Sequence, residues 1–410
     1  MIKKFAALLT ATIFFISAQS PAFAEENPDV ETVDKPFSES SPEGLLPDEK
    51  FPTLDPSYHD LPTYEEGEEP PKPLDEPPPV EEVEGLEFLV YHQNGIMAFA
   101  IIADHEKYKL EPVLARGRVP GRATVSQMNS PDAIATINAS YFGVSGVIYG
   151  NTKIDGMTVG TTYFTRSAIG INEDGSTIFG RQTYRGVLQF NGKEIVINGV
   201  NCERDKNSVV VYNAWNGITT GTNNSGVELV VRNGEVQNIF WDKGSNTIPY
   251  DGYVISAHGT AAEDFKSVYD GDLITFDEDY INVEFGEDFN QAVHIIGAGP
   301  TLVKNGEVYV TADAEQFPAD IRVGRAPRSA VGVTQYGDYI FAVADGRQAH
   351  SKGCTLLEWA QILRNSFGAV QAINLDGGGS TELIFKGSLV NKPSDGYERL
   401  VGDALTILRK

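Results

Sequence analysis

Cysteine is nearly absent: a chain of 410 residues carries two, Cys202 and Cys354. That excludes a disulfide scaffold and any zinc cluster built on CxxC pairs. One long-range bridge between the two thiols, or two separate buried thiols, are both compatible with the sequence. Long apolar runs are also scarce. The stretch Phe5 to Ile16 is too short for an ordinary membrane span, and nothing later in the chain supplies one. Basic residues are outnumbered, 32 Lys and Arg against 57 Asp and Glu, which argues against nucleic acid as a partner. No lysine follows the glycines as GxxxxGK[ST] requires, and no EF-hand spacing occurs. Gly297-Ala298-Gly299-Pro300 is followed by a strand, turn, strand pattern rather than a helix, so it is not a dinucleotide loop. No organic cofactor is expected; a divalent cation is compatible with the residues, but no ligands are assigned to one.

What is present begins with a secretory signal. Lys3 and Lys4 form its basic start, Phe5 to Ile16 its apolar core, and Ala22-Phe23-Ala24 a small-x-small cleavage site, with cleavage expected after Ala24. Retention as an uncleaved anchor is the alternative, and either places the working part outside the cytoplasm, secreted or in the cell envelope. Residues 25–85 then hold 20 acidic residues against 3 lysines, a net of −17 out of a formal −25 for the whole chain, together with 13 of the 22 prolines. Such a segment cannot pack a core and is expected to be an extended, self-repelling, disordered linker, a spacer or tether to membrane or wall. A calcium- or partner-binding acidic tail is the other reading.

From about Leu86 the pattern changes to short apolar runs punctuated by Gly, Asn and Asp. Asn-Gly pairs at Asn191, Asn198, Asn233 and Asn305 include hairpin turns, because Asn-Gly tolerates the positive φ of a type I′ turn. Phe190 to Gly199 and Glu228 to Trp241 are the clearest hairpins, and Tyr339 to Ala344 reads as a strand ending at Asp345-Gly346-Arg347. One helix is well marked: Thr355 and Glu358 fit a capping box, Leu356, Ala360, Leu363 and Phe367 recur at helical spacing, and Gly368 is a natural stop. Ala369 to Leu375 then reads as a strand that delivers the chain to Asp376. The expected fold class is α+β, strand-rich mixed sheets with few helices, in one domain over residues 86–410.

The residues that suggest chemistry follow that last strand. Asn374, Asp376, Gly377, Gly378, Gly379, Ser380 and Thr381 combine close backbone approach, a potential anion-binding nest, hydroxyl donors and a carboxylate. A tight glycine turn satisfied by its own Asn and Asp is the plain alternative. Arg328 and Arg347 lie at strand ends and suit bidentate contact with phosphate, a surface ion pair being the plain alternative for either one alone. Asn138, Tyr141 and Phe142 set an amide and two aromatics beside another strand end, a mix that suits a sugar and also an ordinary turn. His258 and His350 read as loop or partly buried side chains, and Glu358 as the cap of its helix.

The segments INASYF, RSAIG at Arg166, IPYDGYVISAHG, IGAGPTLVKNG, RSAVGVT, VADGR, GCTLLEWA and AINLDGGGSTEL, in this order, resemble the phosphodiester glycosidase family from about Leu86 to the C-terminus. The resemblance implies a mixed α+β domain and a hydrolase that cleaves a sugar-1-phosphodiester, giving free sugar and a phosphomonoester. For a secreted chain the implied substrate is a cell-wall, capsular or exopolysaccharide phosphoglycan. On that reading Asp376 is the first-choice catalytic carboxylate and Asp345 the second, while Asn374 and Asn138 orient sugar or water. Arg328, Arg347, the amides of Gly377 to Gly379, Ser380 and Thr381 hold phosphate, with Tyr141 and Phe142 at the sugar. The family often has Asn-Gly-x-Phe-Phe where this chain has Asn138-Ala139-Ser140-Tyr141-Phe142, which bears on sugar specificity. The rival is a noncatalytic phosphoglycan-binding wall protein that uses the same cleft.

Overall fold

Three of the four Asn-Gly pairs act as their backbone freedom requires, whereas Asn198-Gly199 has no positive φ and Asn198 instead bonds Val209. Asn191-Gly192, Asn233-Gly234 and Asn305-Gly306 all have positive φ and join paired antiparallel strands. A fourth such turn, Asn94-Gly95, links Leu86–Gln93 to Ile96–Ala103. Its signal is the same dipeptide between two apolar runs. The structure, a computed structural model, describes residues 84–162, 164–284 and 288–410. The expected signal and nearly all of the acidic linker lie outside the described residues.

Four sheets organise the described residues. The central one has seven strands in the order Leu86–Gln93, Ile96–Ala103, Tyr339–Ala344, Arg328–Thr334, Ala369–Asn374, Thr301–Lys304 and Glu307–Val308. A five-stranded sheet places Ala133–Asn138 between Leu383–Phe385 and Asp403–Arg409. A second seven-stranded sheet carries Arg166–Ile171 and His294–Gly297, and a second five-stranded sheet carries the Val227–Arg232 and Glu235–Trp241 hairpin. The expected mixed sheets prove almost wholly antiparallel: Gly199–Val200 with Val209–Asn213 is the parallel pairing among the described strands.

Period-two alternation sets the layers. In Tyr339–Ala344, the side chains of Tyr339, Phe341 and Val343 join a core shared with Ile137, Leu383 and Leu405 of the five-stranded sheet. Ile340, Ala342 and Ala344 point the other way, onto Leu356, Trp359, Ala360 and Leu363 of the helix Leu356–Ser366. A strand covered on both faces reads as a continuous apolar run, as this one does. The helix has the expected capping box, with Thr355 Oγ1 accepting from Glu358 N and Glu358 Oε2 accepting from Thr355 N, and Gly368 ends it with φ 74°. No helix among the described residues is long and apolar enough to cross a membrane. Cys202 and Cys354 are both free thiols, and burial pushes each up to about 12.

Antiparallel register brings the chemistry-bearing ends together. Arg328 pairs with Ala344 and Ala330 with Asn374, so the start of one strand meets the ends of two others. Truncating the fully buried Leu363 to alanine should cost about 2–5 kcal/mol of stability, whereas Thr355→Ala, which removes only the cap, should cost about 1 kcal/mol. Denaturant titration of the two variants checks both values.

Candidate functional site

The loop after Ala369–Asn374 is anchored by its backbone before any side chain is considered. Asp376 N donates to Ala139 O at 2.9 Å, and Asn138 Nδ2 donates to Asp376 O at 2.7 Å. Asn138 is fully buried, and its Oδ1 accepts from Ser329 Oγ at 2.7 Å and Glu382 N at 3.2 Å. One amide thus ties together the ends of three segments distant in sequence. Asp376 itself is half-buried, with Oδ1 accepting from Gly377 N at 2.9 Å.

The glycines serve close packing. Gly378 has φ 62° and donates to Pro327 O at 3.0 Å, Ser380 N donates to Gly377 O, and Thr381 N to Gly378 O. The amides of Gly377 and Gly378 are therefore engaged within the protein, in contrast to an open anion nest. At Gly379 a Cβ would lie 2.1 Å from Arg399 Nη2 and 2.2 Å from Asp395 Oδ2. Arg399 and Asp395 are paired at 2.8 Å, and Arg399 Nη1 reaches Ser380 Oγ at 3.5 Å. These two residues were not among the sequence-derived candidates. A charged pair four residues apart, just before the last strand, was their only signal.

Tyr141 sits among the charged groups. Its hydroxyl donates to Gly299 O at 3.0 Å and accepts from Asn374 Nδ2 at 3.1 Å, while its ring packs on Phe317 with centroids 5.5 Å apart. Burial raises the phenol above its ordinary range, the Asp376 charge adds to this, and the Arg328 and Arg166 charges oppose it. Arg166 lies over the Phe317 ring, 3.7 Å from its centroid. Phe142 goes elsewhere: it bridges to Ile148 and packs beside Val125, Ile384 and Val401. The aromatic pair adjacent in sequence is divided between the site and a core.

Arg328 is 2% exposed, and burial lowers its pKa. Nε donates to Cys354 O, and Nη2 to Ile321 O and Gly324 O at 3.1 and 2.8 Å. Much of its hydrogen-bonding capacity is committed to backbone, so it contributes chiefly a fixed positive charge. Arg347 is exposed with φ 56°, and its charge is felt at Arg328. Asp345 is buried; burial raises its pKa, opposed by hydrogen bonds from His350, Lys392 N and Asn391. His258 lies away from this network, with its backbone amide on Ser208 O.

Two buried side-chain atoms on either side of Asp376 in sequence, Asn374 Oδ1 and Thr381 Oγ1, make no hydrogen bond within the protein. Leaving a buried polar atom unpaired costs about 1–3 kcal/mol, so these two atoms are a local cost held beside Asp376. Two carboxylates missed in the sequence lie close by. Glu315 accepts from Ser167 N and Oγ at 2.7 and 2.6 Å, and its Oε2 would lie 2.6 Å from a Cβ on Gly299. Glu382 is fully buried, accepts from Arg399 N at 2.7 Å, and is pushed up to about 9 by burial and by neighbouring Glu398. The three groups spaced for a cation, Asp104, His105 and Asp338, lie at the opposite end of strand Tyr339–Ala344 from Asp345.

Gly379→Ala should separate Arg399 from Asp395 and lower the melting temperature, whereas Gly387→Ala, where no atom lies within 4 Å but φ is +77°, should show backbone strain alone. Glu382 has a folded pKa above its ordinary 4.5, so the stability tied to its proton is present below 4.5 and is lost as pH rises toward about 9. Glu382→Gln should therefore melt progressively above wild type as pH increases across that window; melting curves at pH 5 and pH 8 check it.

Comparisons with known proteins bear on this geometry. Residues 225–408 match the family model described as Phosphodiester glycosidase. The mouse (Mus musculus) N-acetylglucosamine-1-phosphodiester alpha-N-acetylglucosaminidase is 33% identical over 157 residues, 35% of this chain and 29% of that protein. Its human (Homo sapiens) counterpart is 30% identical over 163 residues, 37% of this chain and 30% of that protein. The matches thus span less than a third of these relatives' length. Among solved structures, a hypothetical protein of Synechocystis aligns over 79% of this chain and 62% of its own, with TM-score 0.69 and 24% identity. A protein of Burkholderia pseudomallei K96243 aligns over 76% and 74%, with TM-score 0.65 and 23% identity. These two share the fold. The resemblance drawn from the sequence motifs holds over residues 225–408, which carry the glycine loop and both strand-end arginines and match the phosphodiester glycosidase family, while INASYF and RSAIG lie before the matched span.

Proposed function

We propose that this chain is an extracytoplasmic hydrolase that cleaves the bond between a sugar's anomeric carbon and a phosphodiester, acting on a cell-wall, capsular or exopolysaccharide phosphoglycan. The observation that carries the reading is the pair of buried, unpartnered polar atoms, Asn374 Oδ1 and Thr381 Oγ1, on either side of a half-buried Asp376. The family match over residues 225–408 supports the reaction class, and the named activity of the mouse and human relatives supports a sugar-1-phosphodiester substrate. The signal-like start and the acidic linker support the location.

Cleavage develops oxocarbenium character at the sugar while negative charge gathers on the departing phosphate. On this reading Asp376 attacks the anomeric carbon or takes the proton of the attacking water. Arg347 contacts phosphate, and the buried Arg328 adds a fixed positive field at no reorganisation cost during the reaction. Ser380 and Thr381 offer hydroxyls, Gly377 to Gly379 let their loop pack closely on Pro327 and Arg399, and Asn138 holds the carboxylate's main chain. Tyr141 and Asn374 orient the sugar, with Phe142 supporting that loop from the core side.

Asp376→Asn should lower release of reducing sugar from a sugar-1-phosphodiester by about 10²–10⁴-fold while leaving the melting temperature near wild type. Full activity in that variant overturns its role. Wild-type protein that binds the diester without turning it over supports the noncatalytic binding reading, and loss of activity with chelator identifies a cation requirement.

A further inference from the structure

Asp345 lies at the end of strand Tyr339–Ala344 with its side chain 3% exposed. Oδ1 accepts from Lys392 N at 2.9 Å and from Asn391 Nδ2 at 3.3 Å, and Oδ2 faces His350 Nε2 at 2.8 Å. Its main chain is held as firmly: N donates to Met97 O at 3.0 Å, and O accepts from Ser351 Oγ at 2.6 Å. A carboxylate enclosed on this many sides is badly placed to meet an anomeric carbon. It is well placed to orient an imidazole. Because a carboxylate only accepts, Nε2 carries the hydrogen, and Nδ1 on the opposite side of the ring is directed away from Asp345.

The His350 side chain is 37% exposed, and its loop is held against the glycine loop. Gln348 and Ser351 exchange main-chain hydrogen bonds across His350 at 3.1 and 3.2 Å, and Gln348 Nε2 donates to Lys392 O at 2.7 Å. Gly346 packs so closely on the neighbouring segment that a Cβ would lie 2.6 Å from Pro327 N. Pro327 O is also the acceptor for Gly378 N. On the other side, Asn391 Nδ2 donates to Thr381 O at 2.9 Å as well as to Asp345. The histidine loop and the glycine loop are therefore fastened to one another through Pro327 and through Asn391.

We propose, resting on the glycosidase reading above, that His350 is a further catalytic residue that donates from Nδ1 to the departing phosphate oxygen, with Asp345 as its positioning residue. As the bond from the anomeric carbon to oxygen breaks, its electron pair stays on the phosphate oxygen and the Nδ1 proton moves to that oxygen. Water adds to the anomeric carbon and passes its proton to Asp376, leaving free sugar, a phosphomonoester and a neutral imidazole. Asp345 holds the ring through Nε2 throughout, and Arg347, three residues before His350, lies on the same loop for the remaining phosphate oxygens.

The test compares two sugar-1-phosphodiesters that differ in their phosphate ester, one methyl and one 4-nitrophenyl. The nitrophenyl phosphate leaves more readily and needs a proton less. His350→Gln should lower kcat about 10²–10⁴-fold on the methyl ester and distinctly less on the nitrophenyl ester; Asp345→Asn should show the same inequality in weaker form. Equal losses on both substrates, or no loss, overturn the proposal. A second readout does not depend on turnover: inorganic phosphate titrated into wild-type protein should shift the His350 ring resonances in NMR, and His350→Gln should weaken phosphate binding. If wild type turns over neither ester, the glycosidase reading fails. The His350 phosphate contact then stands if the ring shifts with phosphate, and falls with the reading if it does not.

Discussion

The buried amide of Asn138 is the contact on which the rest of the site depends. Its Nδ2 holds Asp376 O, and its Oδ1 receives both Ser329 Oγ and Glu382 N. Three segments far apart in sequence are thereby held at hydrogen-bonding distance in a place with no exposure to solvent. Few side chains offer donors and an acceptor in one plane; an aspartate would lose the donor and a leucine both. Because the bonds go to main-chain atoms as well as to a side chain, they position the loop itself rather than one rotamer.

Around that amide, the protein keeps charge in low dielectric and manages its cost locally. Arg328 is desolvated yet satisfied by carbonyls of the 321–324 segment and Cys354, which turns a mobile cation into a fixed one. Asp345 is desolvated yet receives an imidazole, an amide side chain and a main-chain N–H. Glu382 has a carboxylate for a neighbour and is driven toward its protonated form, whereas Asp403, with Ser140 N and Oγ at 2.8 Å, rises only to about 6. Environment separates carboxyl groups of nearly equal intrinsic acidity into different protonation states, which allows acids and bases to coexist around one network.

The parts legible in sequence were those governed by local rules. Thr355 and Glu358 cap a helix by contacts three residues apart, and Asn-Gly turns follow from φ alone, so both could be read without knowing the fold. Alternation along Tyr339–Ala344 identified a strand, although not that both faces would be covered. Glu315 and Glu382 carry no local signature, and Arg399 and Asp395 carry only a charged pair four residues apart. Their significance arises from Gly379, Ser167 and Glu398, partners supplied by the folded chain. His350 was read as an ordinary loop histidine because its partner, five residues earlier, becomes a partner only when the loop doubles back over Ser351.

By itself the sequence determined the capped helix, the hairpins, the Tyr339–Ala344 strand and the presence of a glycine loop after Asn374, since each depends on spacing, dihedral preference or alternation within a few residues. It also carried the family resemblance, through the order of its motifs. Tertiary structure alone decided that Tyr141 turns toward Asp376 while Phe142 enters a core, that the Gly377 and Gly378 amides are spent within the protein, and that Asp345 is walled in behind His350. Those outcomes depend on which strand ends meet, and antiparallel register between segments up to about 300 residues apart, such as Tyr108 with Arg409, leaves no trace in any short window of sequence.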